Sequence, residues 1–215
     1  MVTIRYRSFF DLQAYETTFE QMRSFTLERQ EDTVDEIWFL EHHSVYTQGQ
    51  AGKPEHILQS NTIPIVQSDR GGQITYHGPG QLMTYCLLDL KRRNLGARSL
   101  VCALENSFIE LLDSYNLQGI TRKNAPGVYL KENGAKIASI GLRIRKGYSY
   151  HGVSFNLTMD LSPFKAIRPC GIEDLTLAQL SSYVPDVTRA DVETRLQRIL
   201  ANHLVPQTKL CMEYS

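Results

Sequence analysis

Cysteine is scarce in this chain, and no two cysteines lie close together. The four cysteines are Cys86, Cys102, Cys170 and Cys211, and none of them forms a CxxC motif. This spacing argues against a zinc ribbon and against a disulfide scaffold, and it suits a reducing compartment in which thiols stay free. We therefore expect a cytoplasmic protein in which any functional cysteine acts as a thiol.

Several other signals are also missing. No apolar run approaches the ~20 residues that span a bilayer, so we expect no membrane partner. The first residues are charged early and lack the apolar core of a targeting segment, and Cys211 is too far from the last residue for a prenylation box. GxxxxGK[ST], GxGxxG and HExxH are all absent. The sequence therefore predicts no phosphate loop, no dinucleotide fingerprint and no metal site.

The chain carries no formal net charge, because 23 Lys and Arg balance 23 Asp and Glu. This balance argues against a dedicated nucleic-acid binder. The hydrophobic fraction of 42% and the charged fraction of 21% are ordinary for a globular protein. A length of 215 residues allows one sizeable core. We expect a single domain over residues 1–215.

Hydrophobic patterning predicts a mixture of strands and helices. Apolar spacing indicates helices beginning after Asp11, Ser99 and Thr188. Asn133-Gly134 stands between two strand patterns and predicts a hairpin. The predicted strands cover residues 4–7, 36–40, 63–66, 81–90, 127–131, 135–145 and 148–157. Strands that follow one another in runs indicate an α+β fold with mixed α and β elements.

Lys136 is unusual because it opens an apolar strand pattern. Side chains alternate along a strand, so Lys136 is predicted to share a face with Ala138, Ile140, Leu142 and Ile144. An ammonium group on an apolar face is costly, and we expect it to give up its proton easily.

Cys170 lies in a turn between Pro169 and Gly171, where a cysteine that serves only packing is not expected. Cys86 and Cys102 lie in apolar strand and helix patterns and are predicted to be buried. A thiol on a tight turn can face a cleft, where a nearby cation favours the thiolate. Together with Lys136, it suggests acyl-transfer chemistry.

The densest motif is the glycine-rich segment 70–81, with the sequence RGGQITYHGPGQ. Four glycines and a proline allow sharp turns and close approach of a ligand to backbone N–H groups. A plain surface loop would explain the glycines alone. The segment also carries more polar side chains than a connector needs, among them Arg70, Gln73, Thr75, Tyr76 and His77.

These segments together resemble the bacterial lipoyl(octanoyl) transferase family. The matching segments cover most of the chain, and they are Glu41-His42 with 45–49, 70–81, 125–129, 134–143, 151–157 and 169–172. The RGGQxTYHGPGQ pattern and the pairing of Lys136 with Cys170 are the most specific parts. His43 departs from the pattern, since the family commonly has proline after Glu-His.

The resemblance implies a central mixed sheet flanked by helices, similar to the biotin and lipoate protein ligase catalytic domain. It implies an acyl-thioester on Cys170, with Lys136 as the acid and base. It also implies a substrate-binding set formed by Arg70, Gly71, Gly72, Gln73, Ile74, Thr75, Tyr76, His77, Ser139, Ile140, Gly141, Gly152, Val153 and Ser154. We expect no cofactor of its own, because phosphopantetheine would arrive on the acyl carrier protein.

The implied reaction moves an octanoyl group from octanoyl-acyl carrier protein to a lysine of a lipoyl domain. The implied acceptors are the lipoyl domains of 2-oxoacid dehydrogenase complexes and the glycine cleavage H protein. Two alternatives remain open from the residues. An ATP-dependent lipoate or biotin ligase would share the architecture without needing a nucleophilic cysteine. A non-catalytic module that binds acyl carrier proteins or lipoyl domains would show no turnover.

Two basic segments suggest how acidic protein substrates would be guided to the site. Residues 91–93 (Lys-Arg-Arg) follow the apolar segment that leaves the glycine-rich motif, and residues 143–146 (Arg-Ile-Arg-Lys) end the Lys136 strand. With no net charge on the whole chain, any electrostatic steering must come from such local patches. We expect Arg92 and Arg93 to be among the docking residues.

Overall fold

The structure is a computed structural model that describes residues 3–59, 62–169 and 175–205. Its helices are α1 (Tyr15–Leu27), α2 (Ala97–Asp113) and α3 (Arg189–His203). Its strands are β1 (Ile4–Ser8), β2 (Asp35–Leu40), β3 (Val45–Gln48), β4 (Ile65–Gln67), β5 (Ile74–His77), β6 (Gln81–Leu87), β7 (Gly119–Ile120), β8 (Gly127–Leu130), β9 (Lys136–Arg145) and β10 (Tyr148–Asn156). None of the helices in the described ranges is both long and apolar enough to span a bilayer.

The central sheet has seven strands in the order β1-β2-β6-β10-β9-β8-β7. β1 and β2 are parallel, and the other neighbours are antiparallel, so the predicted mixed sheet is confirmed. A second sheet has the order β4-β3-β5. The main apolar core packs α2 and α3 against one face of the central sheet. α1 packs against β6 and β10, on the side of a second apolar cluster around Trp38.

The predicted helix starts are partly wrong. α1 begins at Tyr15 after Ala14, which caps it without a side-chain hydrogen bond, so Asp11 is not its cap. α2 follows Gly96 rather than Ser99, while Thr188 caps α3 as predicted and accepts a hydrogen bond from the Asp191 N–H. The segment expected to be a glycine-rich loop contains β5, because its pairing with β3 satisfies the backbone between the glycines.

The assignment of Arg93 to a docking surface is wrong, because its side chain is 1% exposed, and Arg92, at 28% exposed, is engaged in an ion pair within the fold. Both arginines bind the carboxylate of Asp35, which is fully buried. The Arg93 Nε lies 2.5 Å from Asp35 Oδ2, and Arg92 Nη2 lies 2.7 Å from Asp35 Oδ1. Arg29 pairs with the same carboxylate, and the Asp89 N–H donates to it at 2.9 Å. One aspartate therefore joins the start of β2, the end of α1 and the turn before α2.

Replacing Asp35 with Ala should destabilise the fold by about 3–5 kcal/mol, because buried guanidinium groups would lose their counter-charge. Urea denaturation followed by circular dichroism measures this loss. Glu20→Ala is the matched control, since it removes an exposed pair with Arg23 and should cost under ~0.5 kcal/mol. Equal losses in the two variants would contradict the role given to Asp35.

Candidate active site

A cavity of about 570 Å³ is bounded by β9, β10 and the glycine-rich segment. Its inner part is lined by buried aromatic and polar side chains, including Tyr15, His77 and Tyr85. Its outer part reaches the start of α2 and the loop before β8, where exposed residues line it, including Ala97 and Pro126. Both ends of the cavity mix polar and apolar groups, since Gln50 and Asn124 are also exposed in its lining and Met83 is buried there.

Most of the predicted substrate-binding residues line this cavity. They are Arg70, Gly71, Gly72, Gln73, Ile74, Thr75, His77, Ser139, Ile140, Gly141, Gly152 and Ser154. Tyr76 and Val153 do not line it, because alternate side chains of a strand point to opposite faces. Tyr76 packs with Tyr46 and Phe164, and Val153 lies in the main core.

The floor of the cavity is a pair of glycines on neighbouring strands. Gly141 of β9 and Gly152 of β10 are directly opposite each other. A β-carbon on Gly152 would lie 2.0 Å from the Thr84 carbonyl oxygen, so no other residue fits there without moving β6. A β-carbon on Gly141 would lie 3.1 Å from the Gly71 carbonyl oxygen, so this glycine allows the glycine-rich segment to approach the sheet closely.

Lys136 does not share a face with Ala138, Ile140, Leu142 and Ile144, and that prediction is wrong. Tyr129 pairs with Lys136 while Val128 pairs with Ala138, so Ile137 is an extra residue in β9. Ile137 and Ala138 consequently both lie in the core, and Lys136 turns to the opposite side. Lys136 lines the cavity together with Ser139. A β-bulge of this kind redirects a side chain and is not visible in a two-residue alternation.

The Lys136 side chain is 2% exposed and lies in a cradle formed by β8. Its Nζ lies 5.2 Å from the centre of the Tyr129 ring. Gly127 has a φ of 134°, and a β-carbon there would lie 2.7 Å from Lys136 Cε and 2.4 Å from the Ala138 carbonyl oxygen. Only glycine therefore allows the lysine stem to pass at this point.

The Lys136 backbone holds the chain that follows Cys170. The Lys136 N–H donates to the Thr176 carbonyl at 2.8 Å, and the Ala178 N–H donates to the Lys136 carbonyl at 2.9 Å. On the other side, the Arg168 N–H donates to the His56 carbonyl at 2.8 Å. Cys170 itself lies outside the described residues. The described residues before and after it are thus held by backbone hydrogen bonds, and Thr176 and Ala178 bond directly to Lys136.

The remaining cysteines differ in environment. Cys86 is fully buried, and burial raises the pKa of its thiol to about 12, which suits a structural residue. Cys102 is partly buried on α2. Cys211 lies outside the described residues.

Arg70 holds the glycine-rich segment in place. Its guanidinium donates to the Thr47 hydroxyl at 2.9 Å and to the Gln73 carbonyl at 2.7 Å, and it also donates to the Gly71 carbonyl at 2.9 Å. These bonds tie β3 to both ends of the turn before β5. Arg70 therefore shapes the cavity wall through the backbone.

A directional chain of hydrogen bonds continues from Arg70 through His77. Because guanidinium can only donate, the Thr47 hydroxyl donates onward to His77 Nε2 at 3.1 Å. His77 Nδ1–H then donates to Gln81 Oε1 at 2.7 Å. Burial lowers the pKa of His77 well below its usual value, which keeps the ring neutral. His77 thus connects Thr47 to Gln81 in this hydrogen-bond chain as an uncharged ring.

The chain ends on the segment that pairs with Lys136. Gln81 Nε2 donates to Asn156 Oδ1 at 2.9 Å, and Asn156 Nδ2 donates to the Ala178 carbonyl at 2.9 Å. The glycine-rich segment and the backbone around Lys136 are consequently held in fixed relation by neutral hydrogen bonds.

Two further histidines close the deep end. His42 Nδ1 bonds the Gln13 carbonyl at 3.0 Å, its Nε2 bonds the Tyr85 hydroxyl at 2.7 Å, and burial lowers its pKa to about 4. His151 has a φ of 59° and bonds Asp69 at 2.8 Å through Nε2. Burial lowers the pKa of His151, and the Asp69 carboxylate opposes that shift. The hydrogen bonds to Gln13, Tyr85 and Asp69 therefore fix the orientation of the two imidazole rings.

Sequence reasoning missed Glu105 and Tyr85. Glu105 is a buried carboxylate in the apolar stripe of α2, and it accepts a hydrogen bond from the Gly127 N–H at 3.0 Å. The missed signal is a charged residue next to Leu104 and three residues before Phe108, where the helical period expects a core side chain. Tyr85 gives no such signal, because an aromatic residue in an apolar strand is ordinary.

Solved structures similar to this chain share its fold. A bipartite lipoate protein ligase from Thermoplasma acidophilum superposes with a TM-score of 0.73 at 16% identity, covering 94% of this chain and 84% of that one. A biotin protein ligase from Aquifex aeolicus gives a TM-score of 0.54 at 12% identity, covering 95% and 70%. At these identities the likeness shows the fold alone, and it confirms the ligase-like architecture that the sequence resemblance implied.

Sequence relatives are more specific. The chain is 53% identical over 178 residues to an octanoyltransferase of Legionella pneumophila (strain Paris), covering 83% of this chain and 88% of that protein. It is 52% identical over 193 residues to an octanoyltransferase of Pseudomonas putida (strain W619), covering 90% and 89%. The lipoyl protein ligase A/B catalytic domain matches residues 14–201. The chain with this glycine-floored cavity and buried lysine therefore belongs to the lipoyl protein ligase A/B catalytic-domain family, and within it to the octanoyltransferases.

Proposed function

We propose that this enzyme moves an octanoyl group from octanoyl-acyl carrier protein to the target lysine of a lipoyl domain, through a thioester on Cys170. The observation that carries the proposal is the placement of Lys136. It is buried in the wall of the cavity, and its backbone bonds the segment six residues after Cys170. Six residues span at most about 20 Å, which keeps Cys170 within reach of the same cavity.

The first half-reaction forms the enzyme thioester. Lys136 accepts the Cys170 proton, and the thiolate attacks the donor thioester carbonyl. The phosphopantetheine thiol leaves with a proton returned by Lys136. The exchange of one thioester for another is nearly isoenergetic and needs no added energy source.

The second half-reaction delivers the acyl group. The ε-amine of the acceptor lysine attacks the Cys170 thioester and forms an amide, and the cysteine leaves as a thiol. The step runs downhill from thioester to amide, so no ATP is required. In this proposal the enzyme needs no cofactor of its own, and its partners are the carrier protein as donor and a lipoyl domain as acceptor.

The apolar part of the cavity suits a saturated acyl chain. Ala97, Val101, Ile140 and Ile144 line its outer part. An ATP-dependent ligase shares the fold, so the fold does not choose between the two reactions. The relatives above 50% identity are octanoyltransferases, which favours the transferase.

Mixing the enzyme with octanoyl-acyl carrier protein should give an octanoyl adduct on Cys170, seen by intact mass spectrometry and removed by hydroxylamine. Cys170→Ala should lose the adduct, whereas Cys86→Ala should keep it, because the buried Cys86 thiol has a raised pKa. A requirement for ATP, or an adduct that persists in Cys170→Ala, would overturn the proposal.

Lys136→Ala should lower the rate of adduct formation by at least ~100-fold, the lower end for general acid–base catalysis. Lys136→Arg should not restore the rate, because a guanidinium does not give up its proton. Stopped-flow quenching followed by mass spectrometry measures the rate. A Lys136→Arg enzyme with most of the wild-type rate would point to a purely electrostatic role.

Exposed cations beside the cavity mouth replace Arg92 and Arg93 as candidates for guiding the carrier protein. Arg98 follows the lining residue Ala97, and Arg145 follows the lining residue Ile144. Reversing both to Glu should lower kcat/KM for octanoyl-acyl carrier protein by roughly 3- to 10-fold, because acyl carrier proteins are typically acidic. The loss should be smaller with octanoyl-CoA and should shrink as salt rises.

Arg198→Glu is the control for that charge reversal. Arg198 is exposed on α3, which contributes none of the described residues lining the cavity. Equal losses on both donors, unchanged by salt, would show that Arg98 and Arg145 act through stability instead of docking.

A further inference from the structure

Glu105 is a carboxylate in an unusual place. It lies in the middle of α2, is 9% exposed, and belongs to the face that packs Leu104 and Phe108 into the main core. A buried carboxylate normally needs compensating partners. Its partner is the Gly127 N–H, 3.0 Å from Oε1, on the strand that cradles Lys136.

Gly127 connects Glu105 to Lys136. The Lys136 Cε passes 2.7 Å from the point where a Gly127 β-carbon would lie, so the lysine stem rests on this residue. The carboxylate that fixes the Gly127 N–H therefore fixes one wall of the lysine cradle. Burial raises the pKa of Glu105, while the Gly127 hydrogen bond and the positive charge of Lys136 act against that shift. The Gly127 N–H lies 3.0 Å from Glu105 Oε1, and the Gly127 β-carbon position lies 2.7 Å from Lys136 Cε, so a single glycine stands between the carboxylate and the lysine stem.

We infer that Glu105 is a positioning residue for Lys136, holding the β8 wall of the cradle in place and keeping a negative charge beside the ammonium. The inference rests on the proposed proton-transfer role of Lys136. In this scheme Glu105 acts through the Gly127 backbone, by fixing the wall against which the Lys136 side chain rests.

The groups around Lys136 set the direction of the expected effect. The contacts described above place Glu105 of α2 and Tyr129 of β8 beside it, and segment 176–178 adds backbone groups. A neutral Tyr129 ring face favours the ammonium, as does ionised Glu105. Without the carboxylate, the form of the Cys170–Lys136 pair that holds one shared proton loses a stabilising negative charge. The alkaline limb of the rate profile should therefore lie at lower pH.

The test compares Glu105→Gln with the wild type in single-turnover acylation by octanoyl-CoA across pH. Gln keeps an oxygen that accepts the Gly127 N–H bond but removes the charge. The alkaline limb should move to lower pH by roughly half a unit to one unit, as expected for loss of a nearby charge. At pH below the raised pKa of Glu105, the wild-type carboxyl is already neutral and the two profiles should converge.

Two further variants separate positioning from stability. Glu193→Gln removes a second buried helical carboxylate, which bonds Arg189 at 2.6 Å on α3 and lies away from the cavity. It should lower stability and leave the pH profile unmoved. Glu105→Asp keeps the charge but shortens the reach to Gly127, so it should lower the rate several-fold without moving the limb, and it supplies a result if Glu105→Gln does not fold.

A Glu105→Gln profile that overlays the wild type, or a Glu105→Asp limb that moves as far as that of Glu105→Gln, would overturn the inference. Failure of the proposed function looks different. In that case the wild type itself would form no Cys170 adduct, and its rate would not depend on Lys136.

Discussion

One extra residue in β9 sets the geometry on which this active site depends. Between β8 and β9 the pairing skips Ile137, so Ile137 and Ala138 both enter the core and Lys136 turns into the cavity. In an unbroken ladder Lys136 would share the face of Ala138, which lies in the main apolar core, where an ammonium is costly. The bulge instead brings it beside Tyr129 and the segment after Cys170.

The site is held by neutral hydrogen bonds on one side and by charges on the other. From Arg70 through Thr47 and His77, the bonds run in one direction to Ala178. Burial keeps the histidines of this region uncharged at neutral pH, since it lowers the pKa of His42 and His77. Lys136, by contrast, lies on the side of Glu105. In the proposed reaction Lys136 exchanges a proton, and the described groups beside it include the Tyr129 ring and the Gly127 backbone that Glu105 holds.

The arginines that stabilise the fold through Asp35 are different from the basic residues that lie near the cavity. Arg29, Arg92 and Arg93 converge on the buried Asp35, and none of the three lines the cavity. In the sequence, residues 91–93 and 143–146 look alike as basic runs. Only burial distinguishes them, because a guanidinium that bonds a buried carboxylate is not available to a partner protein.

The sequence by itself determined the mixed α/β fold, the hairpin at Asn133-Gly134 and the choice of Lys136 as a chemical residue. These follow from local patterns: hydrophobic periodicity, an Asn-Gly turn and a charge in an apolar run. It also marked out most of the cavity lining through the glycine-rich motif and its family resemblance. Tertiary structure alone decided the direction of Lys136, the pairing of Arg92 and Arg93 with Asp35, and the place of Glu105 beside Gly127. Each of these depends on pairing between segments distant in the chain, and neither a strand register nor an ion pair across elements is written in a local pattern.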